Sequence, residues 1–72
     1  MFKVYDQNNK EINCKIIFTF SNNNKNFIVY YDEEEDILAS YYTLNKDNAI
    51  ISPITSDDDF DLVDKEIEKR MK

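Results

Sequence analysis

Carboxylates supply most of the groups in this sequence that could do chemistry: 15 acidic residues stand against nine basic ones, in a chain of 72 residues with no histidine, no glycine and one cysteine. Asp57, Asp59, Asp61 and Glu68 have the spacing of ligands in a calcium-binding loop. The glycine such a loop needs for its sharp turn is replaced by Leu62, and Lys65 stands at a further ligand position. The same residues make a better capped helix, whose geometry would scatter those ligands. The run DEEED at residues 32–36 could attract Mg²⁺ loosely, but a charge run in a loop is ordinarily solvated. No metal site is expected.

Catalysis finds little support. Without histidine the usual general base near neutral pH is missing. Cys14 falls in the middle of a strand pattern with no helix terminus or base beside it, which disfavours a nucleophilic thiolate. A chain without glycine cannot build a phosphate-cradling loop. Tyr and Phe on a sheet can stack single-stranded bases, but the basic groove that goes with them is absent. A net charge of −6 opposes direct binding to nucleic acid or to an anionic membrane. The residues therefore point away from an enzyme and away from any cofactor.

Size bounds what can position these groups. A chain of this length forms one domain that buries about 60% of its unfolded surface. Residues 1–11 lack the apolar core of a secretory signal, and no apolar run approaches the ~18 residues needed to span a bilayer. A cytoplasmic, reduced protein with Cys14 as a small core residue is expected.

The pattern along the chain predicts strands at residues 2–5, 12–20, 27–31, 37–43 and 49–54, and a helix at 57–71. Residues 12–20 alternate with the period of a half-buried strand, and the asparagines that follow form a turn. With no glycine, such turns must place Asn or Asp at positive φ. Pro53 lacks a ladder donor, so the last strand should lie at an edge or end there. Short connections favour antiparallel neighbours. Ser56 is a good N-cap, with Asp59 in the position of a capping-box acid. Asp61–Lys65, Glu66–Arg70 and Glu68–Lys72 have the spacing of helical ion pairs. Phe60, Val63, Ile67 and Met71 form an apolar stripe. The fold expected is α+β, an antiparallel β-meander of four to five strands with one C-terminal helix packed on one face.

Pairing Phe20 with Phe27 and Tyr31 with Ile37 puts Cys14, Ile16, Phe18, Phe20, Phe27, Val29, Tyr31, Ile37, Ala39 and Tyr41 under the helix. The other face then carries Ile17, Ile28, Tyr30, Leu38 and Tyr42. One helix cannot cover both faces. Either the sheet curls and buries part of this second set, or the set stays open as a partner-binding face.

Thr19–Phe20, the segment NFIVYYD at 26–32, Ala39-Ser40-Tyr41-Tyr42 and the ending ITSDDDFDLVDKEIEK, taken in order, resemble the YrzB-like family of small acidic bacterial proteins, a domain of unknown function. The chain departs from that pattern in lacking loop glycines and in carrying Phe60 where a tryptophan is common. The resemblance implies a cytosolic bacterial protein, and it brings no catalytic or binding residues with it.

The function these features imply is a non-enzymatic protein-binding or regulatory module, with a partner that is itself basic. A different class of reading is an acidic nucleic-acid mimic, occupying a basic site on a nucleic-acid-binding protein with its two carboxylate clusters, at residues 32–36 and 57–68.

Overall fold

Five residues without a glycine's freedom turn this chain: Asn9, Asn23, Asn24, Glu35 and Lys46 all have φ between 53° and 65°. The computed structural model describes residues 3–71. Its elements are β1 (Lys3–Tyr5), β2 (Lys15–Asn22), β3 (Lys25–Tyr31), β4 (Ile37–Asn45), β5 (Asn48–Ser52) and α1 (Asp57–Met71). Asn23 and Asn24 form the whole β2–β3 connection, with Asn22 paired to Lys25. Two successive positive-φ residues give a turn whose twist matches that of the strands it joins. β5 stops at Ser52, one residue before Pro53. It does so inside the sheet, between β4 and β1, and not at an edge. Phe2, the first residue of the strand expected at 2–5, lies outside the described residues.

The sheet is mixed, which corrects the expectation of an antiparallel meander. Its order is β1-β5-β4-β3-β2, and β1 runs parallel to β5 with Val4 opposite Ala49. The reason is parity. β2 through β5 alternate direction at each hairpin, so β5 runs opposite to β2. β1 also runs opposite to the segment leading into β2, through the antiparallel bridge Tyr5↔Glu11 and an N–H···O bond of 2.8 Å from Ile12 to Val4. Two strands opposed to the same third must be parallel to each other. An odd number of strands that rolls until its edges meet contains such a pair.

Rolling divides the apolar residues between two clusters. The concave interior gathers Val4, Ile28, Tyr30, Ala49 and Ile51, with Ile12, Cys14, Ile16 and Tyr42 packed against them. The convex side holds Phe27, Val29, Ile54 and Val63 beneath the helix, joined by Ile17, Phe18, Phe20, Ala39 and Tyr41.

The expected register of β3 on β4 is the one observed, from Phe27↔Tyr41 to Tyr31↔Ile37. On β2 it holds from Phe20↔Phe27 to Phe18↔Val29 and then slips, so that Ile16 faces Tyr30 and not Tyr31. A bulge at Ile17 causes the slip. One extra residue reverses every side chain beyond it. Cys14 and Ile16, expected under the helix, therefore lie in the interior, and Ile17, expected opposite, lies on the helix side.

The helix spans the residues expected of it but is rotated about its axis. Asp59 and Val63 are buried, and Leu62 and Ile67 pack on the convex cluster, whereas Phe60 and Met71 are exposed. Of the anticipated ion pairs, Arg70 Nε donates to Glu66 Oε2 at 3.0 Å. Among the described residues Asp61 and Lys65 form no such bridge, and Lys72 lies outside those residues.

Candidate functional site

The rotation of the helix follows from what holds its first turn. Asp59 Oδ2 accepts a hydrogen bond from the Tyr41 hydroxyl of β4 and another, at 2.9 Å, from Lys25 Nζ of β3. Its carboxylate is thus turned into the sheet and does not complete a capping box with Ser56. The Tyr41 bond, then the Lys25 bond, hold the Asp59 carboxyl below its ordinary value of 3.8, against a smaller opposing effect of burial. The same contacts raise Lys25 and Tyr41 above their ordinary values. Lys25 Nζ also sits 5.6 Å from the centre of the Tyr41 ring. From Tyr41 an aromatic row crosses the sheet through Phe27 and the stacked Phe20 to Phe18, where the Arg70 guanidinium lies 4.7 Å from the ring centre.

Fixing Asp59 inward swings Phe60 to the flank of the helix, where it forms one wall of a cleft of about 400 Å³. Leu38 and Pro53 also line it, and its floor includes the buried Tyr30, Ser40, Ile51 and Ile54. The Tyr30 hydroxyl and Ser40 Oγ are hydrogen-bonded at 3.2 Å. Leu38 at 41% exposure and Phe60 at 47% stand over this floor uncovered. Asp6, Gln7 and Asn8 supply a polar side, and among the described residues no lysine or arginine lines the space.

The acidic loop is built on a frame the chain uses twice. In residues 6–10, Asp6 Oδ1 accepts the N–H groups of Asn8 and Lys10 at 2.8 and 3.0 Å, and Asn9 has φ of 63°. In residues 32–36, Asp32 Oδ1 accepts those of Glu34 and Asp36, each at 2.9 Å, and Glu35 has φ of 65°. The two loops share one end of the molecule, where Asp6, Glu11, Asp32, Glu33 and Glu34, together with Lys10, border a shallow hollow of about 440 Å³. Oxygens of Asp32, Glu34 and Asp36 lie within 4.8 Å of one another, and Glu34 and Asp36 face solvent. The calcium-loop spacing at 57–68 is taken up by α1, with Asp59 already committed to Tyr41 and Lys25. Burial pushes the Cys14 thiol above its ordinary value, leaving little thiolate.

The five residues expected to share an open face do not form one surface. Ile28 and Tyr30 are buried in the interior and Tyr42 is half-buried against them. Ile17 has passed to the helix side, and Leu38 alone is exposed. The curled arrangement is the one the chain adopts.

The family described as "Protein of unknown function (DUF1292)" matches residues 7–72. The chain belongs to the DUF1292 family. Neither the curated proteins nor the solved structures gave a match. Among the described residues of this DUF1292 protein, no helix is long and apolar enough to cross a membrane.

Two features of the DUF1292 chain escaped its sequence. The exposure of Phe60 is one, because its spacing from Val63 and Ile67 read as core. Asp59 is the other, and a signal for it existed: it lies four residues before Val63 and eight before Ile67, hence on their face of the helix.

Proposed function

We propose that this DUF1292 protein is a non-enzymatic protein-binding module of the bacterial cytoplasm, and that the cleft between Leu38 and Phe60 is its binding surface. The observation that carries this reading is the pair of uncovered apolar walls over a buried floor. Among the described residues the other exposed large apolar side chains, Ile37, Leu44 and Met71, do not line this cleft. Adjacent exposed apolar groups rimmed by polar ones mark interaction sites. The non-enzymatic part rests on the lack of histidine and on a half-buried Cys14 whose thiol is pushed above its ordinary value by burial. A cytoplasmic setting is supported by the single cysteine.

Photo-crosslinking tests it. A benzophenone amino acid at position 38, in the full chain inside the native cell, should give a discrete protein adduct that Phe60→Ala removes. The same probe at exposed Lys65 serves as a control. Identical adduct patterns from both positions, or none from position 38, would defeat the reading.

The acidic-mimic reading remains second, favoured by the convergence of carboxylates from both loops at one end. It requires a partner whose affinity collapses with added salt. Binding that holds from low to physiological ionic strength would eliminate it.

A further inference from the structure

We infer that the cleft takes a protein segment presenting one bulky apolar side chain flanked by lysine or arginine; the inference rests on the binding-module reading and names its partner's chemistry. The apolar half of the requirement comes from the walls and floor. Leu38 and Phe60 offer uncovered contact area above Ile51 and Ile54, in a space at the small end of ligand-sized pockets. Such a space suits a side-chain anchor.

The charged half comes from the rim. Asp6 lines the cleft, and its charge stays in place because Oδ1 is tied down by two backbone N–H groups. On the helix, Asp57 and Asp64 lie three residues before and four after Phe60, which puts them beside it on the surface, and Asp61 follows it directly. All three are exposed, and none forms an ion pair among the described residues. Among the described residues no cation lines the cleft, and the charges named here are all negative. A low-dielectric wall focuses their field toward an incoming positive charge. Lysine and arginine suit both parts of the site, because their stems cover apolar surface while their heads reach a polar rim. An acidic segment would meet like charge at each of these positions, and an anionic membrane would be repelled by them.

Three fluorescein-labelled synthetic peptides of equal length test this on the full chain. One carries a leucine between lysines, the second replaces the lysines with glutamates, and the third replaces the leucine with alanine. The first should bind, with backbone amide shifts grouped at Leu38, Ser40, Ile51 and Phe60. The other two should bind about tenfold more weakly or worse, as should the first peptide with Phe60→Ala, since an anchor at an interface centre is worth at least that factor. Phe60 is about half exposed, and an unchanged amide spectrum elsewhere will show that the variant is folded. Asp61→Asn with Asp64→Asn should weaken the first peptide several-fold at low salt and less at high salt.

Equal binding of the lysine and glutamate peptides at the cleft would overturn the partner chemistry and leave the binding-module reading standing. Equal binding of the alanine peptide, or shifts confined to the two acidic loops, would reduce the effect to unspecific charge pairing and overturn the anchor. No binding by any of the three would overturn the inference, while the crosslink from position 38 decides separately whether the cleft is used at all.

Discussion

Asp59 and Tyr41 join the first turn of the helix to the middle of the sheet, the carboxylate accepting the phenol's hydrogen bond at a point where Lys25 supplies the balancing charge. Everything the helix covers, and the side on which Phe60 emerges, depends on this junction.

Its pH dependence follows from the direction of each shift. Asp59 lies below its ordinary 3.8 in the folded chain, so its contribution to stability is present above that pH and is lost as pH falls through the lower folded value. Lys25 and Tyr41 lie above their ordinary 10.5 and 10.0, so theirs is present below those values and is lost as pH rises through the higher folded ones. Denaturant titrations of the native chain and of Asp59→Asn should therefore differ at neutral pH and converge in acid well below pH 3.8. A constant difference across that range would show that the carboxylate's charge is irrelevant to the junction.

Tyr30 is 6% exposed, with its hydroxyl on Ser40. Tyr30→Phe leaves the Ser40 hydroxyl without this partner and should cost about 1 kcal/mol. Tyr30→Ala should cost roughly 3–5 kcal/mol through the cavity it opens in the interior. Both are read from urea midpoints. If Tyr30→Ala melts like the native chain, the interior cluster does not hold the sheet closed.

The bulge at Ile17 can be tested by deletion. Removing that one residue would give β2 an unbroken ladder with β3 in which Ile16 still faces Tyr30, and Cys14 and Ile16 stay in the interior. The deletion should therefore stay folded, with amide dispersion retained, and lose about what Ile17→Ala loses through the missing side chain, roughly 2–4 kcal/mol. A deletion variant that unfolds while Ile17→Ala stays folded would show that the bulge itself, and not the Ile17 side chain, is required.

Glu35 holds a positive φ that costs an ordinary side chain about 1–2 kcal/mol and costs asparagine less. Glu35→Asn should stabilise the chain by about 0.5 kcal/mol or more, with Asn9 in the matching loop as precedent. Glu35→Val should do the opposite. Thermal melts of the two variants that coincide would contradict this account of the loop.

Local signals carried much of the structure. The helix bounds, the asparagine turn and the β3–β4 register were all legible, because caps, turn residues and alternation are written in neighbouring residues. What escaped was non-local or concerned a single extra residue. Ile17 sits in a run of three apolar residues, Ile16, Ile17 and Phe18, where alternation gives no mark of a bulge. β1 is three residues long, and its partner is set by closure of the whole sheet rather than by a hairpin. At the cleft, Leu38 was legible as an apolar residue on the sheet face away from the helix. Phe60 was not, because its exposure is decided by Asp59's bonds to two other strands.

The parallel pairing of β1 with β5 also sets the order in which a nascent chain can mature. Val4 leaves the ribosome long before Ala49, so the first strand made has its ladder partner only when the last strand has been translated. Until then the hairpins β2–β3 and β3–β4 can form from local contacts, while Ile28 and Tyr30 remain open on one side. Contacts this distant in sequence close slowly, because the loop entropy is spent before the contact rewards it. The β1–β5 seam is thus the sheet's kinetic bottleneck, and the interval before it closes is when the chain is most exposed to aggregation.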